Sequence, residues 1–185
     1  GGGEFYQLYR YDLADGRTTL LTDGKSRNTG ARWSSRGDRI AYTSTRRNGR
    51  DNDIYVMDPR QPASARMLVE VTGGGWSVQD WAPDDSRLII SEYVSINESY
   101  LHLLDSRTGQ RELITPKGSE RVSYGSARFG KDGQTIFVTS DRDSEFQRLW
   151  KFDLKTRSFT LLTKDIPWDV SDFEVSRDGR RLAFV

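Results

Sequence analysis

Apolar residues fall along this chain in short runs separated by Asp-, Gly- and Asn-rich turns. Nowhere do they take the three-to-four spacing of a capped amphipathic helix. Four such runs end in aspartate: Leu8 to Asp12, Ile54 to Asp58, Leu101 to Asp105 and Leu149 to Asp153. Their aspartates are spaced 46, 47 and 48 residues apart. A second pattern repeats with the same period. Trp33, Trp81, Phe129 and, more weakly, Val175 are anchors spaced 48, 48 and 46 residues apart. Each anchor precedes a turn (Arg36-Gly37-Asp38, Asp84-Asp85-Ser86, Lys131-Asp132-Gly133, Arg177-Asp178-Gly179) and then an apolar run. Those runs are Ile40-Ala41-Tyr42, Leu88-Ile89-Ile90, Ile136-Phe137-Val138 and Leu182-Ala183-Phe184. Two features sharing one period in four copies mark an internal repeat.

Each unit predicts four strands. Strand a ends at the large anchor, and strand b is the apolar run after the tight turn. A longer loop leads to strand c, which ends at the aspartate. Turns such as Ala14-Asp15-Gly16 and Arg107-Thr108-Gly109 lead to strand d, at Leu20-Leu21-Thr22, Leu113-Ile114-Thr115 and Leu161-Leu162-Thr163. Asp and Gly suit such turns because they tolerate positive φ. Four strands per unit of this length is the signature of a β-propeller blade. The expectation is an all-β propeller of four-stranded antiparallel blades, about four blade equivalents in one domain spanning 1–185.

The phase is offset. The chain enters in strand c of one unit and leaves in strand b of another, giving three complete blades and two half-blades. The units run approximately 1–23 (half), 24–72, 73–116, 117–164 and 165–185 (half). Either the two halves pair and close a four-bladed ring, or the chain is a slice of a larger ring with open half-blades. Open strands leave backbone groups unpaired, so such a slice tends to close or to form a homodimer through its half-blades.

Composition narrows the function. The 185 residues carry 28 Lys+Arg against 27 Asp+Glu, a net charge of +1, which argues against nucleic acid as a partner. No apolar run approaches the roughly 20 residues needed to span a bilayer, so no membrane contact is expected. No leader segment is visible. Cysteine is absent, which removes disulfides, thiolate metal sites and a cysteine nucleophile. It fits a bacterial cytoplasm or periplasm equally.

Candidate chemistry is sparse. A hydrolase triad needs a base. The one histidine, His102, lies inside an apolar strand and reads as structural. No Gly-x-Ser-x-Gly elbow occurs. Asp51-Asn52-Asp53 and Asp141-Arg142-Asp143 lack the glycine and distal glutamate of a calcium loop and read as solvated hairpins. Gly73-Gly74-Gly75 is not a phosphate loop and reads as a close passage before Trp76. No catalytic residue, cofactor or metal is expected. After strand b, two units read Thr43-Ser44-Thr45-Arg46 and Thr139-Ser140-Asp141-Arg142, but the middle one reads Ser91-Glu92-Tyr93-Val94-Ser95-Ile96-Asn97. This departure suggests a contact loop, or a longer hairpin whose Glu92 pairs with an arginine. The candidate contact residues are Arg46, Trp76, Glu92, Asn97 and Arg142.

Residues 33 to 58 carry Trp-Ser-x-x-Gly-x-x-Ile-Ala-Tyr-x-Ser followed by Asp-Ile-Tyr-Val-Met-Asp. This resembles the propeller repeats of TolB and of the prolyl oligopeptidase family. Tyr6 to Asp12, Gly74 to Ser77 with Asp80-Trp81, Glu92 to Ser99, and Asp141 to Phe146 look more like the amino-terminal propeller of bacterial prolyl-oligopeptidase-type serine peptidases. That resemblance implies a non-catalytic segment that gates peptide access and contacts a separate α/β-hydrolase domain holding the triad. It also implies a ring of which this chain is about half. The partners expected are a peptide substrate or the adjoining hydrolase domain. The alternative is a TolB-like scaffold for a protein partner.

Overall fold

The computed structural model describes residues 3–118 and 120–185. Sixteen strands form five antiparallel sheets. β1 (Tyr9–Tyr11) and β2 (Thr18–Leu20) form a first half-blade. Blade 1 is β3 (Asn28–Trp33), β4 (Ile40–Ser44), β5 (Asp53–Asp58) and β6 (Gln61–Val69). Blade 2 is β7 (Trp76–Trp81), β8 (Arg87–Ser95), β9 (Glu98–Asp105) and β10 (Arg111–Leu113). Blade 3 is β11 (Tyr124–Phe129), β12 (Thr135–Ser140), β13 (Arg148–Asp153) and β14 (Phe159–Leu161). β15 (Phe173–Val175) and β16 (Leu182–Phe184) form the last half-blade. This is the all-β propeller architecture of three complete blades flanked by two halves.

The repeat fixes the register. Strands b and c pair as Ile40↔Met57, Leu88↔Leu104 and Ile136↔Phe152 in the three blades. Every complete strand a slips against its strand b, between Thr29 and Arg32, Val78 and Asp80, and Tyr124 and Ala127. An extra residue at the same place in each inner strand increases the local twist.

Three of the outer strands are shorter than the sequence suggests. β2, β10 and β14 stop at Leu20, Leu113 and Leu161, before the threonine of each Leu-Thr run. The threonine hydroxyl instead accepts a strand c amide: Leu8 to Thr22 at 3.1 Å, Leu101 to Thr115 at 3.0 Å and Leu149 to Thr163 at 3.1 Å. A side-chain acceptor thus finishes the ladder where the strand turns away.

The core lies in the seams between sheets. Ile54, Val56 and Leu68 of blade 1 pack with Trp76, Trp81, Leu88 and Leu104 of blade 2. Ile89, Leu101 and Ile114 of blade 2 pack with Tyr124, Ile136, Phe152 and, at its margin, Phe159 of blade 3. Polar links cross these seams. The Trp81 indole donates to the Arg32 carbonyl at 3.0 Å, and the Ser35 amide donates to the buried Asp85 carboxylate at 2.6 Å. Ser99 Oγ donates to the Tyr124 carbonyl at 2.8 Å and accepts the Tyr124 amide at 2.7 Å. At Gly109, in the turn before β10, any Cβ would collide with the Leu68 carbonyl of the neighbouring blade, so only glycine lets the two blades close.

Of the two geometries the strand phase allows, the described residues show the open one: β1–β2 and β15–β16 are separate two-stranded sheets that do not pair with each other. The repeat anchors differ in burial, and Trp33 is the bare one. It is 55% exposed, whereas Trp81 is 3% exposed, because the half-blade before it has no strand a for its ring to pack on.

Candidate functional site

Strands b and c meet at one end of each sheet, through the pairs Ser44↔Asp53, Ser95↔Glu98 and Ser140↔Arg148. The d-to-a connections lie at that same end. Asn52 donates its amide to Gly73 at 3.1 Å, and Asp141 donates to Ser123 at 3.3 Å. All five candidate contact residues therefore belong to one loop-bearing face. They do not gather into one site.

Trp76 and Glu92 are the two that meet. Trp76 opens β7 in the row of Glu92 on β8 and Tyr100 on β9. The buried Trp76 indole donates to the Thr72 carbonyl at 3.0 Å, and its ring sits 5.1 Å from the His102 imidazole and 4.6 Å from the Arg111 guanidinium. Glu92 Oε2 lies 3.0 Å from His102 Nε2. Glu92 is thus partnered by the histidine, not by an arginine. Burial pushes His102 below its ordinary value of 6.5, against the pull of Glu92, while Arg111 and Lys117 add to the lowering. The lowering favours the neutral imidazole, and the tautomer protonated at Nε2 is the one that can donate to this carboxylate. Among the described residues no serine or threonine hydroxyl bonds to His102, so the arrangement supplies no activated nucleophile. The passage before Trp76 is as close as expected: a Cβ on Gly75 would strike the Tyr93 carbonyl.

Arg46 and Arg142 hold the same repeat position in different seams. Each follows strand b, with its amide donating to a serine hydroxyl, Ser44 at 3.2 Å and Ser140 at 3.1 Å. Arg46 is exposed beside a cleft of about 270 Å3 with Asp23, Asn28 and Tyr42. Arg142 lies 4.6 Å above the Phe159 ring, pairs with Asp143 at 3.2 Å, and lines a cleft of about 240 Å3 with Val122 and Tyr124. Burial raises the Tyr124 hydroxyl.

Asn97 and Ile96 form the two-residue turn of the β8–β9 hairpin, which is longer than its counterparts in blades 1 and 3. Tyr93, Val94 and Ile96 are exposed along it. Residues 45–47 and 141–143 follow strand b in the neighbouring blades and carry arginine and aspartate instead. Beside its turn Tyr100 donates to the Glu98 carboxylate, which raises the phenol to about 12.

The acidic loops are internally committed. Asp53 takes Arg47 Nε at 2.8 Å and the Val71 amide at 2.9 Å. Asp51 takes Asn48 Nδ2 at 2.7 Å and the Gly73 amide at 2.8 Å, and these bonds hold its carboxyl down to about 2.

The sequence marks the stretch holding Tyr93, Val94 and Ile96 as a contact loop but reads His102 as structural, with no sign that it meets Glu92. The apolar loop was legible as residues that replace charge in the sister loops, whereas the histidine and glutamate meet only through the pairing of β8 with β9.

No protein-family model matches the sequence. Solved structures with a similar fold are TolB from Acinetobacter baumannii (TM-score 0.76, 20% identity over 98% of this chain and 43% of that one). A putative TolB from Agrobacterium tumefaciens gives 0.71 and 17%, over 99% of this chain and 74% of that one. A prolyl endopeptidase from a study of two such enzymes gives 0.60 and 16%, over 89% of this chain and 27% of that one. This chain spans less than half the length of the Acinetobacter protein. At these identities the likeness shows the fold, a TolB-like propeller also present in a prolyl endopeptidase.

Proposed function

We propose that this chain is a non-catalytic propeller segment of the prolyl-oligopeptidase type, whose loop-bearing face gates peptides and contacts an α/β-hydrolase domain. The long-stranded β8–β9 hairpin carries the reading. It presents Tyr93, Val94 and Ile96 to solvent where the sister loops are charged, and exposed apolar residues grouped on one element mark a contact surface.

The test starts from the coding sequence on either side of these residues. A Gly-x-Ser-x-Gly segment followed by Asp and His is expected downstream. With that enzyme in hand, Tyr93→Ser with Ile96→Ser should change the ratio of long- to short-peptide cleavage several-fold, leaving the shortest substrates unaffected. An uninterrupted reading frame with no hydrolase region would sink this reading. The second reading, a TolB-like scaffold for a protein partner, would then stand. What favours it is the higher similarity to TolB, 0.76 against 0.60.

A further inference from the structure

Blades 2 and 3 are complete sheets, and the seam between them lies clear of both half-blades. On the loop-bearing face this seam opens into the cleft of about 240 Å3 beside Arg142. Pro116 and Val122 give it apolar walls, and Glu120 and Asp143 are exposed at its lip. Two groups in it have unused hydrogen-bonding capacity. The first is the hydroxyl of Tyr124, a residue 3% exposed. Among the described residues that hydroxyl has no hydrogen-bond partner, whereas nearly all buried polar groups in folded proteins have one. Asn28 and Trp76 hold the same repeat position in β3 and β7, and both are satisfied: the Asn28 amide donates to the Ser26 carbonyl at 2.9 Å and the Trp76 indole to that of Thr72 at 3.0 Å. Arg142 is close enough to pull the Tyr124 phenol down against burial, yet no hydrogen bond of ordinary geometry joins the two. The second group is the Arg142 guanidinium. It rests 4.6 Å above the Phe159 ring, and Asp143 takes only its Nε edge, at 3.2 Å. Its Nη groups donate to nothing among the described residues, whereas Arg148 at the same end of blade 3 gives Nη1 to the Thr163 and Lys164 carbonyls, each at 3.0 Å. We propose that this cleft binds the carboxylate of a peptide, held end-on by the Arg142 Nη groups and by the Tyr124 hydroxyl.

A planar guanidinium offers paired donors that match the two oxygens of a carboxylate. The Phe159 ring fixes that plane in advance, and Phe159 is itself held 4.4 Å from Phe152 and 6.2 Å from Tyr124, so little side-chain freedom is lost on binding. The hydroxyl is sealed from solvent, and it meets the ligand as the one-third-exposed Arg142 side chain shifts on the ring to take the carboxylate. Charge sets the class of ligand. The Glu120 and Asp143 carboxylates at the lip oppose a dianion such as phosphate more than a singly charged group. The apolar walls and the small volume suit one small apolar side chain beside that carboxylate. Arg46, the counterpart of Arg142 in blade 1, is exposed and has Asn28 where Arg142 has Tyr124. The site rests on these residues alone and stands whether or not the hydrolase reading holds.

Calorimetric titration tests the assignment. The peptide acetyl-Ala-Ala-Val with a free terminal carboxylate should bind, and the same peptide ending in an amide should bind about tenfold more weakly or not at all. Acetyl-Ala-Glu-Ala-amide tells a side-chain carboxylate from a terminal one: binding by either acid supports the proposal and identifies the source. Arg142→Gln should abolish binding. Arg142→Lys, which keeps the charge and loses the fork, should weaken it about tenfold. Tyr124→Phe should weaken it about three- to tenfold and leave the melting temperature unchanged or higher, because the hydroxyl it removes has no partner in the fold. A group that merely held the seam would lower the melting temperature instead. No binding by either acid, equal binding of acid and amide, or inorganic phosphate binding as tightly as the acids overturns the proposal. So does a folded Arg142→Lys or Tyr124→Phe protein that binds the acids as tightly as the unmodified chain.

Discussion

Trp33 and Trp81 stand 48 residues apart at the same point of the repeat, each the last residue of an inner strand. One lies bare and the other is sealed, with its indole on the Arg32 carbonyl and the Arg39 guanidinium 5.1 Å from its ring. Nothing in the local sequence separates them. The difference is whether a complete sheet precedes the strand. Burial here belongs to the seam, not to the residue, as expected where each unit packs only on its neighbours.

The largest test of that contrast is truncation of both indoles. Trp81→Ala should cost about 3–5 kcal/mol in urea unfolding, as for other large buried side chains. Trp33→Ala should stay within about 0.5 kcal/mol at concentrations where the chain is single. Equal losses would mean that the exposed ring is engaged after all. The residues that follow two outer strands, at one repeat position, give a smaller version. Ile114→Ala should cost about 2–4 kcal/mol and Leu162→Ala under about 1 kcal/mol by the same measurement. The smallest effect belongs to His102, inside the complete seam. Its folded value is depressed, so the unfolded chain binds the proton first. Stability should therefore be full above 6.5 and decline as pH falls through 6.5 towards the lower folded value. His102→Leu should flatten that slope between pH ~7 and ~5 in thermal melts. An unchanged slope would place the titration elsewhere.

Much of the fold was legible because the features that set it are local. Asp58, Asp105 and Asp153 end their strands as read, and Gly16, Gly37, Gly109, Gly133 and Gly179 take the positive φ that their turns need. What escaped the letters depends on a neighbouring strand or a neighbouring sheet. The bare state of Trp33 reports a neighbour that is incomplete. Thr22, Thr115 and Thr163 look like strand residues until their hydroxyls are seen taking a strand c amide. Glu92 was placed correctly as a departure from the repeat, yet its partner is set by the long hairpin that puts His102 one strand away. The openness of the arc was one of two geometries the strand phase allowed.

The three-residue outer strands have a consequence for solubility. An outer edge is a template on which a stray chain can add a strand and begin to aggregate. β2, β10 and β14 offer too few free groups to be useful templates, and the hydroxyl that ends each ladder stops the edge from lengthening. The one long outer strand, β6, is interrupted by Pro62 and by two register shifts. The four outer strands are thus guarded by two means, shortness with a terminal hydroxyl in three and Pro62 with register shifts in the fourth, so indiscriminate strand addition is blocked along the circumference.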